Sequence, residues 1–180
     1  MTRVWRLVLA AVLTTLAFLT VPASPAAAAG CSTRNSDGAT GGYSVLLYCS
    51  GAGFITGYGS TLTTANQEAL LLYQLYTVSG VDCDGRSADT TTGGYSVLLY
   101  CSGAGFITGY GSSLSDAAFE ARALATLYAD QGRDCDGRSV SRSSGGYDVL
   151  LYCSGLGFVH GVGSTVTGAA ANARLAATLG

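Results

Sequence analysis

The sequence predicts an α+β fold made of three tandem repeats of about 52 residues, each a β-hairpin or meander followed by a helix, with one disulfide per repeat and a pseudo-threefold arrangement. The first observation behind this prediction is a 20-residue segment, 41–60, which recurs unchanged at 93–112 and with five differences at 145–164. The second is the placement of the six cysteines, which are separated alternately by 18 and 34 positions. Such a period indicates one supersecondary unit repeated along the chain, in which neighbouring units bury surface that a lone unit cannot.

Residues 1–29 are predicted to be a secretory signal peptide. Arg3 and Arg6 precede an uncharged apolar run, 7–21, which is shorter than the ~20 residues needed to cross a bilayer, and small residues before Gly30 supply a cleavage site. We therefore expect a secreted, extracellular protein without stable membrane association. The mature part forms one compact domain that divides into repeat 1 at 31–82, repeat 2 at 83–134 and repeat 3 at 135–180.

The cysteines predict a disulfide framework, because an even number at regular spacing is typical of one in an exported chain. Pairing within repeats is preferred over pairing between repeats, such as Cys49 with Cys83, since the first option uses every cysteine in an equivalent way. The alternative for Cys31 is lipidation, because the residues before it faintly resemble a lipoprotein cleavage box. The preferred pairs are Cys31 with Cys49, Cys83 with Cys101, and Cys135 with Cys153.

Composition narrows the class of partner. All nine basic residues are Arg, and Ala and Gly are abundant, which indicates a GC-rich genome and an actinobacterial origin. After removal of the signal peptide, seven Arg face eleven acidic residues. An acidic chain lacks the basic surface that nucleic-acid phosphates require. We therefore expect no nucleic-acid partner.

Each repeat is predicted to contain a hairpin. In repeat 1, two runs of β-branched, aromatic and Leu residues flank a Gly-Ala-Gly turn at 51–53. With Ala52 at the centre of the turn, Gly57 lies opposite Leu47, and the absent side chain leaves room for a helix. A preceding strand would fit, because the two cysteines of repeat 2 lie symmetrically about Thr92. One face of the hairpin then carries Val45, Leu47, Cys49 and Ile55, and the other carries Leu46, Tyr48, Phe54, Thr56 and Tyr58.

A helix is predicted after each hairpin. Repeats 1 and 2 share residues at offsets of 0, 3, 4, 7, 10 and 11, which trace one helical face. Thr63 and Ser115 are the predicted N-caps, and Gly80 and Gly132 the predicted C-terminal glycines. In repeat 1 the shared face consists of Ala65, Glu68, Ala69, Leu72, Leu75 and Tyr76.

The junction of strand and helix reads Gly-Tyr-Gly-Ser at 57–60 and 109–112 and Gly-Val-Gly-Ser at 161–164. Followed by a helix with Ala at every fourth position, this pattern resembles the C-terminal half of the double-stranded RNA-binding domain over about 25 residues of each repeat. The resemblance implies a meander of strands packed on a helix. That family carries a Lys-rich cluster at the start of the helix, which is missing here, so RNA binding is not expected.

The residue patterns predict a protein that is not an enzyme and that holds no cofactor or metal. His160, the only histidine, occurs in repeat 3 alone, and the predicted register places Asp148 beyond hydrogen-bond reach of it. The serines that follow the cysteines have no recurring base beside them. Asp82 and Asp84 resemble the start of a calcium loop, but Gly93 stands at the twelfth position, where a bidentate Glu is required.

Two surfaces are candidates for binding. An aromatic face recurs in the repeats and forms either the core between them or a platform for a peptide or glycan. On the first helix, large apolar side chains stand where repeat 2 has Arg122, Ala123 and Ala125, which predicts a partner-docking surface unless other parts of the chain cover it. The aromatic face comprises Tyr48, Phe54, Tyr58, Tyr100, Phe106, Tyr110, Tyr152 and Phe158, and the helix surface comprises Leu70, Leu71 and Tyr73.

These features favour a secreted, non-enzymatic protein-binding or adaptor protein whose partner is another secreted protein. Such a protein could be a subunit of an extracellular antibacterial complex, as is the small adaptor of actinobacterial umbrella toxin particles, although no motif here is specific for that adaptor. The alternative is a secreted inhibitor or carbohydrate-binding module that uses the repeated tyrosines. A hydrolase and an RNA binder are the least favoured classes.

Overall fold

The computed structural model describes residues 30–180, and the predicted signal peptide lies outside the described residues. Each repeat forms a unit of three strands followed by one helix, which confirms the predicted α+β class and the tandem architecture. Unit 1 consists of β1 (Cys31–Ala39), β2 (Gly42–Cys49), β3 (Gly53–Gly59) and α1 (Leu62–Ser79). Unit 2 consists of β4 (Cys83–Thr91), β5 (Gly94–Cys101), β6 (Gly105–Gly111) and α2 (Leu114–Gln131). Unit 3 consists of β7 (Cys135–Ser143), β8 (Gly146–Cys153), β9 (Gly157–Gly163) and α3 (Val166–Leu179).

The three strands of each unit form an antiparallel sheet in chain order. In unit 1, Cys49 pairs with Gly53 and Leu47 with Ile55, so the turn is centred on Gly51 and not on Ala52 as predicted. The reason is conformational, because Gly51 and Gly53 both adopt positive φ angles, 88° and 83°, which favour glycine. The predicted register is wrong by two residues, but the predicted faces are right, since side chains alternate with a period of two.

The disulfides join the two ends of the first hairpin in each unit. Cys31 lies directly opposite Cys49 across β1 and β2, and the bond is within the unit, as predicted. Units 2 and 3 repeat this arrangement, with Cα atoms 4.0 Å apart in every pair. The first two strands of each unit are therefore held together covalently at their open end.

The helices of units 1 and 2 begin two residues earlier than expected. The N-caps are Thr61, Ser113 and Thr165, whose side chains accept a hydrogen bond from the backbone N–H three residues later. Thr63 and Ser115 are already inside the helix, where an extended capping conformation is unavailable. The predicted C-terminal glycines of α1 and α2 are confirmed, since Gly80 and Gly132 both have left-handed backbone angles.

One face of each sheet packs against the helix of the same unit. Close approach depends on Gly57, because a Cβ added there would lie 2.3 Å from the backbone nitrogen of Ala69. Gly109 and Gly161 make the same approach to the helices of units 2 and 3. The fully buried side chains of unit 1 at this contact are Leu47, Ile55, Ala65, Ala69 and Leu72.

The units are arranged in series, so the expected closure about a pseudo-threefold axis is wrong. β3 packs against β4 and α1 against α2, and the same contacts join β6 to β7 and α2 to α3. Within residues 30–180 no element of unit 1 packs extensively against an element of unit 3. The physical reason is that two different sides of the unit meet at each junction, and such a contact closes a ring only when its rotation allows it.

At each junction, the side of one unit nearest its third strand meets the side of the next unit nearest its first strand. The third-strand face belongs to the earlier unit of each junction, and the first-strand face belongs to the later unit. At the first junction the third-strand face comprises Gly41, Thr56, Tyr58, Ser60 and Glu68, and the first-strand face comprises Asp84, Gly85, Tyr95, Ser115 and Arg122.

Two features bear on location. Three disulfides are compatible with an extracellular protein. In the described part of the chain, none of the helices combines the length and the hydrophobicity needed to span a membrane.

Candidate binding surfaces

The sheet face that points away from the helix carries an exposed cluster of one Arg, one Tyr and one Phe in every unit. In each aromatic cluster the Tyr and the Phe are directly opposite each other on the second and third strands, and the Arg comes from the first strand. Aromatic cluster 1 is Arg34, Tyr48 and Phe54, aromatic cluster 2 is Arg86, Tyr100 and Phe106, and aromatic cluster 3 is Arg138, Tyr152 and Phe158.

The geometry of the clusters is nearly constant. In unit 1 the ring centroids of Tyr48 and Phe54 are 5.3 Å apart at an interplanar angle of 63°, which is an edge-to-face contact. The guanidinium carbon of Arg34 lies 5.2 Å above the centroid of Tyr48, within the range of a cation–π contact. Units 2 and 3 reproduce both contacts. Phe54 is nevertheless 57% exposed, and its counterparts are exposed to a similar extent.

Aromatic cluster 1 differs from the other two in its charge. Arg86 lies 3.4 Å from a carboxylate oxygen of Asp84, and Arg138 has the same contact with Asp136. Unit 1 has Ser32 at the corresponding position, and within residues 30–180 Arg34 forms no ion pair. Arg34 is therefore the cluster cation with the most capacity to pair with a carboxylate of another molecule.

The predicted aromatic face is divided by the structure into an exposed and a buried part. Tyr58 and Tyr110 are buried at the junctions, where their rings cover Gly85 and Gly137 of the following unit. Burial, reinforced by nearby carboxylates, raises the pKa of both phenols. Within residues 30–180 no unit packs against this side of unit 3, and Val162 stands there with 55% of its surface exposed. The other six residues of the predicted face belong to the aromatic clusters, namely Tyr48, Phe54, Tyr100, Phe106, Tyr152 and Phe158.

The predicted docking surface on α1 is only partly accessible. Tyr73 is buried, because its ring covers Gly30 and its hydroxyl donates a hydrogen bond to the Ser50 carbonyl oxygen at 3.3 Å. The expectation that Tyr73 is exposed is therefore wrong, and the segment that begins at Gly30 is what covers it. Leu70 is partly buried against the core.

Leu71 lines a groove between α1 and α2. Phe119 forms the other wall and Val78 one end, and both are largely exposed. The corresponding positions between α2 and α3 hold Ala123, Ala171 and Asp130, so an apolar groove of this kind is specific to the first junction.

The structure brings one pair of candidate catalytic groups together. Nδ1 of His160 lies 3.2 Å from a carboxylate oxygen of Asp148, so the prediction that they are beyond hydrogen-bond reach is wrong. The cause is the two-residue register error, since His160 pairs with Leu150 and is therefore diagonal to Asp148. Both side chains lie on the open sheet face, and the His160 side chain is 60% exposed. To act as a general base, His160 would need a positioned substrate and a nucleophile beside it.

The acidic residues that resemble a calcium loop have structural contacts. One carboxylate oxygen of Asp84 accepts a hydrogen bond from the Thr56 backbone N–H at 2.8 Å, and the other faces Arg86. Within residues 30–180 there is no group of three or more His, Cys, Asp or Glu side chains arranged to hold a metal ion.

Sequence reasoning missed the arginines of the aromatic clusters. Their signal was present, since the cysteine and the arginine at Arg34, Arg86 and Arg138 are the only residues of the first strand that all three repeats share. The ion-pair partner of the buried Glu68, Arg122 of the following unit, was not predicted from the sequence either.

The sequence matches no protein-family model and no curated protein. What the protein does is therefore inferred from the surfaces of its three units.

Proposed function

We propose that the protein is a secreted, non-enzymatic binding or adaptor protein that contacts another secreted protein through its three aromatic clusters. The observation that carries this proposal is the repetition of one exposed geometry, Arg over Tyr with Phe at its edge, in all three units. Exposed large apolar groups mark interaction sites, and Tyr and Arg are over-represented among the residues that dominate binding energy at protein interfaces.

The orientation of the rings favours a protein over a carbohydrate. A sugar ring stacks on an accessible aromatic face, but the guanidinium group of Arg34 covers one face of Tyr48 at 5.2 Å. Tyr48 and Phe54 are inclined at 63°, so the two rings do not form one flat platform. A cluster of inclined rings beside a cation instead suits a protruding side chain with an acidic neighbour, which a protein surface supplies.

The serial arrangement makes the binding multivalent. Because β3 packs against β4 and β6 against β7, neighbouring units are in direct contact, so one partner could contact more than one cluster. Once the first cluster is bound, binding at the second is intramolecular, which raises the affinity without any new kind of contact. A scaffold with several equivalent sites suits an adaptor that joins other subunits of an extracellular antibacterial complex.

The test is a pull-down from culture supernatant with the secreted chain and a graded set of variants. Phe54→Ser, Phe106→Ser and Phe158→Ser are introduced singly, in pairs and together. Each lost cluster is expected to weaken capture of the partner by roughly 10-fold or more, because effective concentration is lost with it. Leu175→Ser removes an apolar side chain that is 55% exposed and lies outside the clusters and the groove, and it is expected to leave capture unchanged.

The outcomes separate the candidate functions. A stoichiometric protein that is lost in a graded manner supports the proposal, and capture that is unchanged in the triple variant contradicts it. If free sugar displaces the captured material from the secreted chain, the result would instead favour the carbohydrate-binding alternative.

A further inference from the structure

The two junctions between units use the same contacts. At the strand edges, the backbone N–H of Thr56 donates to a carboxylate oxygen of Asp84 at 2.8 Å, and Thr108 donates to Asp136 at the same distance. The residue after each Asp is Gly. A Cβ on Gly85 would lie 2.5 Å from the Thr56 carbonyl oxygen, so only glycine fits against this edge.

The helices at each junction are joined by a buried ion pair. Nε of Arg122 donates to the Glu68 carboxylate at 2.8 Å, and Arg174 donates to Glu120 at 3.0 Å. Both carboxylates are buried, and a buried charge without its partner is strongly destabilising. The junction therefore requires both members of each pair.

A contact that joins the third-strand face of one unit to the first-strand face of the next can be repeated without limit, because every added unit brings another face of each kind. Within residues 30–180, no other unit packs extensively against the third-strand face of unit 3 or the first-strand face of unit 1, and the same contacts would join one chain to the next in an open filament. Six positions on the outer faces of units 1 and 3 carry residues different from those at the equivalent positions of a junction. Unit 1 has Ser32, Thr33 and Leu70 where unit 2 has Asp84, Gly85 and Arg122, and unit 3 has His160, Val162 and Asn172 where unit 1 has Thr56, Tyr58 and Glu68.

We infer that these six residues are caps that prevent chains from joining end to end. Thr33 is the steric part of the cap on unit 1, because a Cβ at the equivalent position of unit 2, Gly85, would lie 2.5 Å from the carbonyl oxygen of the opposing strand. Ser32 lacks the carboxylate that would accept a hydrogen bond from the opposing N–H. Leu70 cannot pair with a carboxylate on the opposing helix.

The cap on unit 3 directs its polar groups back to its own unit. Asn172 donates a hydrogen bond to the Val162 carbonyl oxygen at 2.8 Å instead of offering a carboxylate to an arginine. His160 contacts Asp148 on the neighbouring strand at 3.2 Å. Val162 replaces the tyrosine ring that covers the glycine of the following unit at both junctions.

Other contacts of the junction remain available at the ends. At the junctions Tyr95 lies against Gly41, and Ser60 and Ser115 exchange two hydrogen bonds. The free ends retain matching groups, namely Tyr43 with Gly145 and Thr63 with Ser164. The barrier to joining is therefore concentrated in the six substituted positions, and the inference does not depend on the proposed function.

The test restores the junction residues at the ends of the secreted full chain. The first-face variant carries Ser32→Asp, Thr33→Gly and Leu70→Arg, and the third-face variant carries His160→Thr, Val162→Tyr and Asn172→Glu. The sixfold variant carries all of these changes. Average mass is measured by sedimentation over a range of protein concentration, with circular dichroism as the check that each variant is folded.

The wild-type chain and each three-residue variant alone are expected to remain monomeric, because every end-to-end contact then includes an unrestored face. An equimolar mixture of the two three-residue variants is expected to form a 1:1 complex, with about a twofold rise in average mass, since only one pair of restored faces exists. The sixfold variant is expected to form open chains whose average mass rises steadily with concentration. A folded mixture that stays monomeric overturns the inference, and so does end-to-end association of the wild-type chain.

Discussion

Tyr73 covers the first residue that the structure describes, and its size is matched to what lies beneath it. The ring approaches Gly30, whereas units 2 and 3 combine Asp82 with Ala125 and Asp134 with Ala177 at the same two positions. Unit 1 therefore combines a large ring with glycine, whereas units 2 and 3 combine a small alanine with aspartate. This exchange explains a divergence in α1 that sequence comparison of the repeats interprets as a docking site.

Replacement of Tyr73 by Ala is expected to lower the free energy of unfolding by about 2–4 kcal/mol, because a buried aromatic ring leaves a cavity. Tyr73→Phe retains the ring and loses one long hydrogen bond, so a loss of about 0.5–1 kcal/mol is expected. Tyr43→Ala removes an exposed tyrosine and serves as the control, with a change within about 0.5 kcal/mol. Urea unfolding measures all three. Equal stability of Tyr73→Ala and Tyr43→Ala would contradict the burial of Tyr73.

At this scale the sequence predicted which residues face inward but not which residues they contact. The sequence predicts that Glu68 lies on the inward helical face, because the same residue recurs in repeat 2 as Glu120. Its partner, Arg122, lies 54 positions away in the next unit, and no periodicity within one unit can predict a contact between units. The sequence shows that Leu70 of repeat 1 corresponds to Arg122 of repeat 2, but the role of this difference becomes clear only from the contact between units 1 and 2.

At the scale of elements, the pairing of β2 with β3 shows what alternation determines and what it leaves open. Alternating apolar residues predicted the buried face correctly, including Val45, Leu47 and Ile55. They could not distinguish registers that differ by two residues, because both place the same side chains on the same face. The turn decides between them through Gly51 and Gly53, whose positive φ angles are not readable from composition alone.

The contact of helix with sheet depends on a missing side chain. Gly57→Ala would place a Cβ 2.3 Å from the Ala69 backbone nitrogen and 2.4 Å from the Ala65 carbonyl oxygen, so α1 must move. A loss of about 2–3 kcal/mol is expected, with a fall of several degrees in the thermal midpoint. Gly38→Ala is the matched control, since nothing lies within 4 Å of an added Cβ there. A thermal midpoint of Gly57→Ala that equals the control would show that the helix is not held by this contact.

At the scale of the whole molecule, the buried carboxylates give the chain an unusual response to acid. Burial raises the pKa of Glu68 and Glu120 above the ordinary value of 4.5, although Arg122 and Arg174 oppose this. A carboxyl group whose pKa is higher in the folded state binds its proton more tightly there, so its contribution to stability is present below the unfolded pKa. That contribution is lost as the pH rises through the folded value.

Above about pH 4.5, as the pH rises through the raised pKa values of Glu68 and Glu120, the free energy of unfolding is therefore expected to fall, which is the reverse of ordinary acid denaturation. The double variant Glu68→Gln, Glu120→Gln is expected to have a flatter profile over the same range. Urea unfolding at a series of pH values provides the measurement. A wild-type chain that becomes steadily more stable with rising pH would contradict the direction assigned to these groups.

The serial arrangement itself was not predictable from the repeat. Self-similarity established three equivalent units, but the sequence of one unit does not reveal the rotation that relates it to the next. Ser32, Thr33 and Leu70 at one end and Val162 and Asn172 at the other were the available clue, since a closed ring has no ends to modify.

The disulfide across each first hairpin also determines how the protein would respond to mechanical tension. Force applied to the two ends of the chain passes from Cys31 to Cys49 through the sulfur atoms and bypasses the residues between them. Units 1 and 2 could therefore each lengthen by roughly 34 residues, or about 120 Å of contour, instead of roughly 52 residues and about 180 Å after reduction. The first two strands would stay paired in the stretched molecule and provide a template on which the third strand and the helix refold when the load is released.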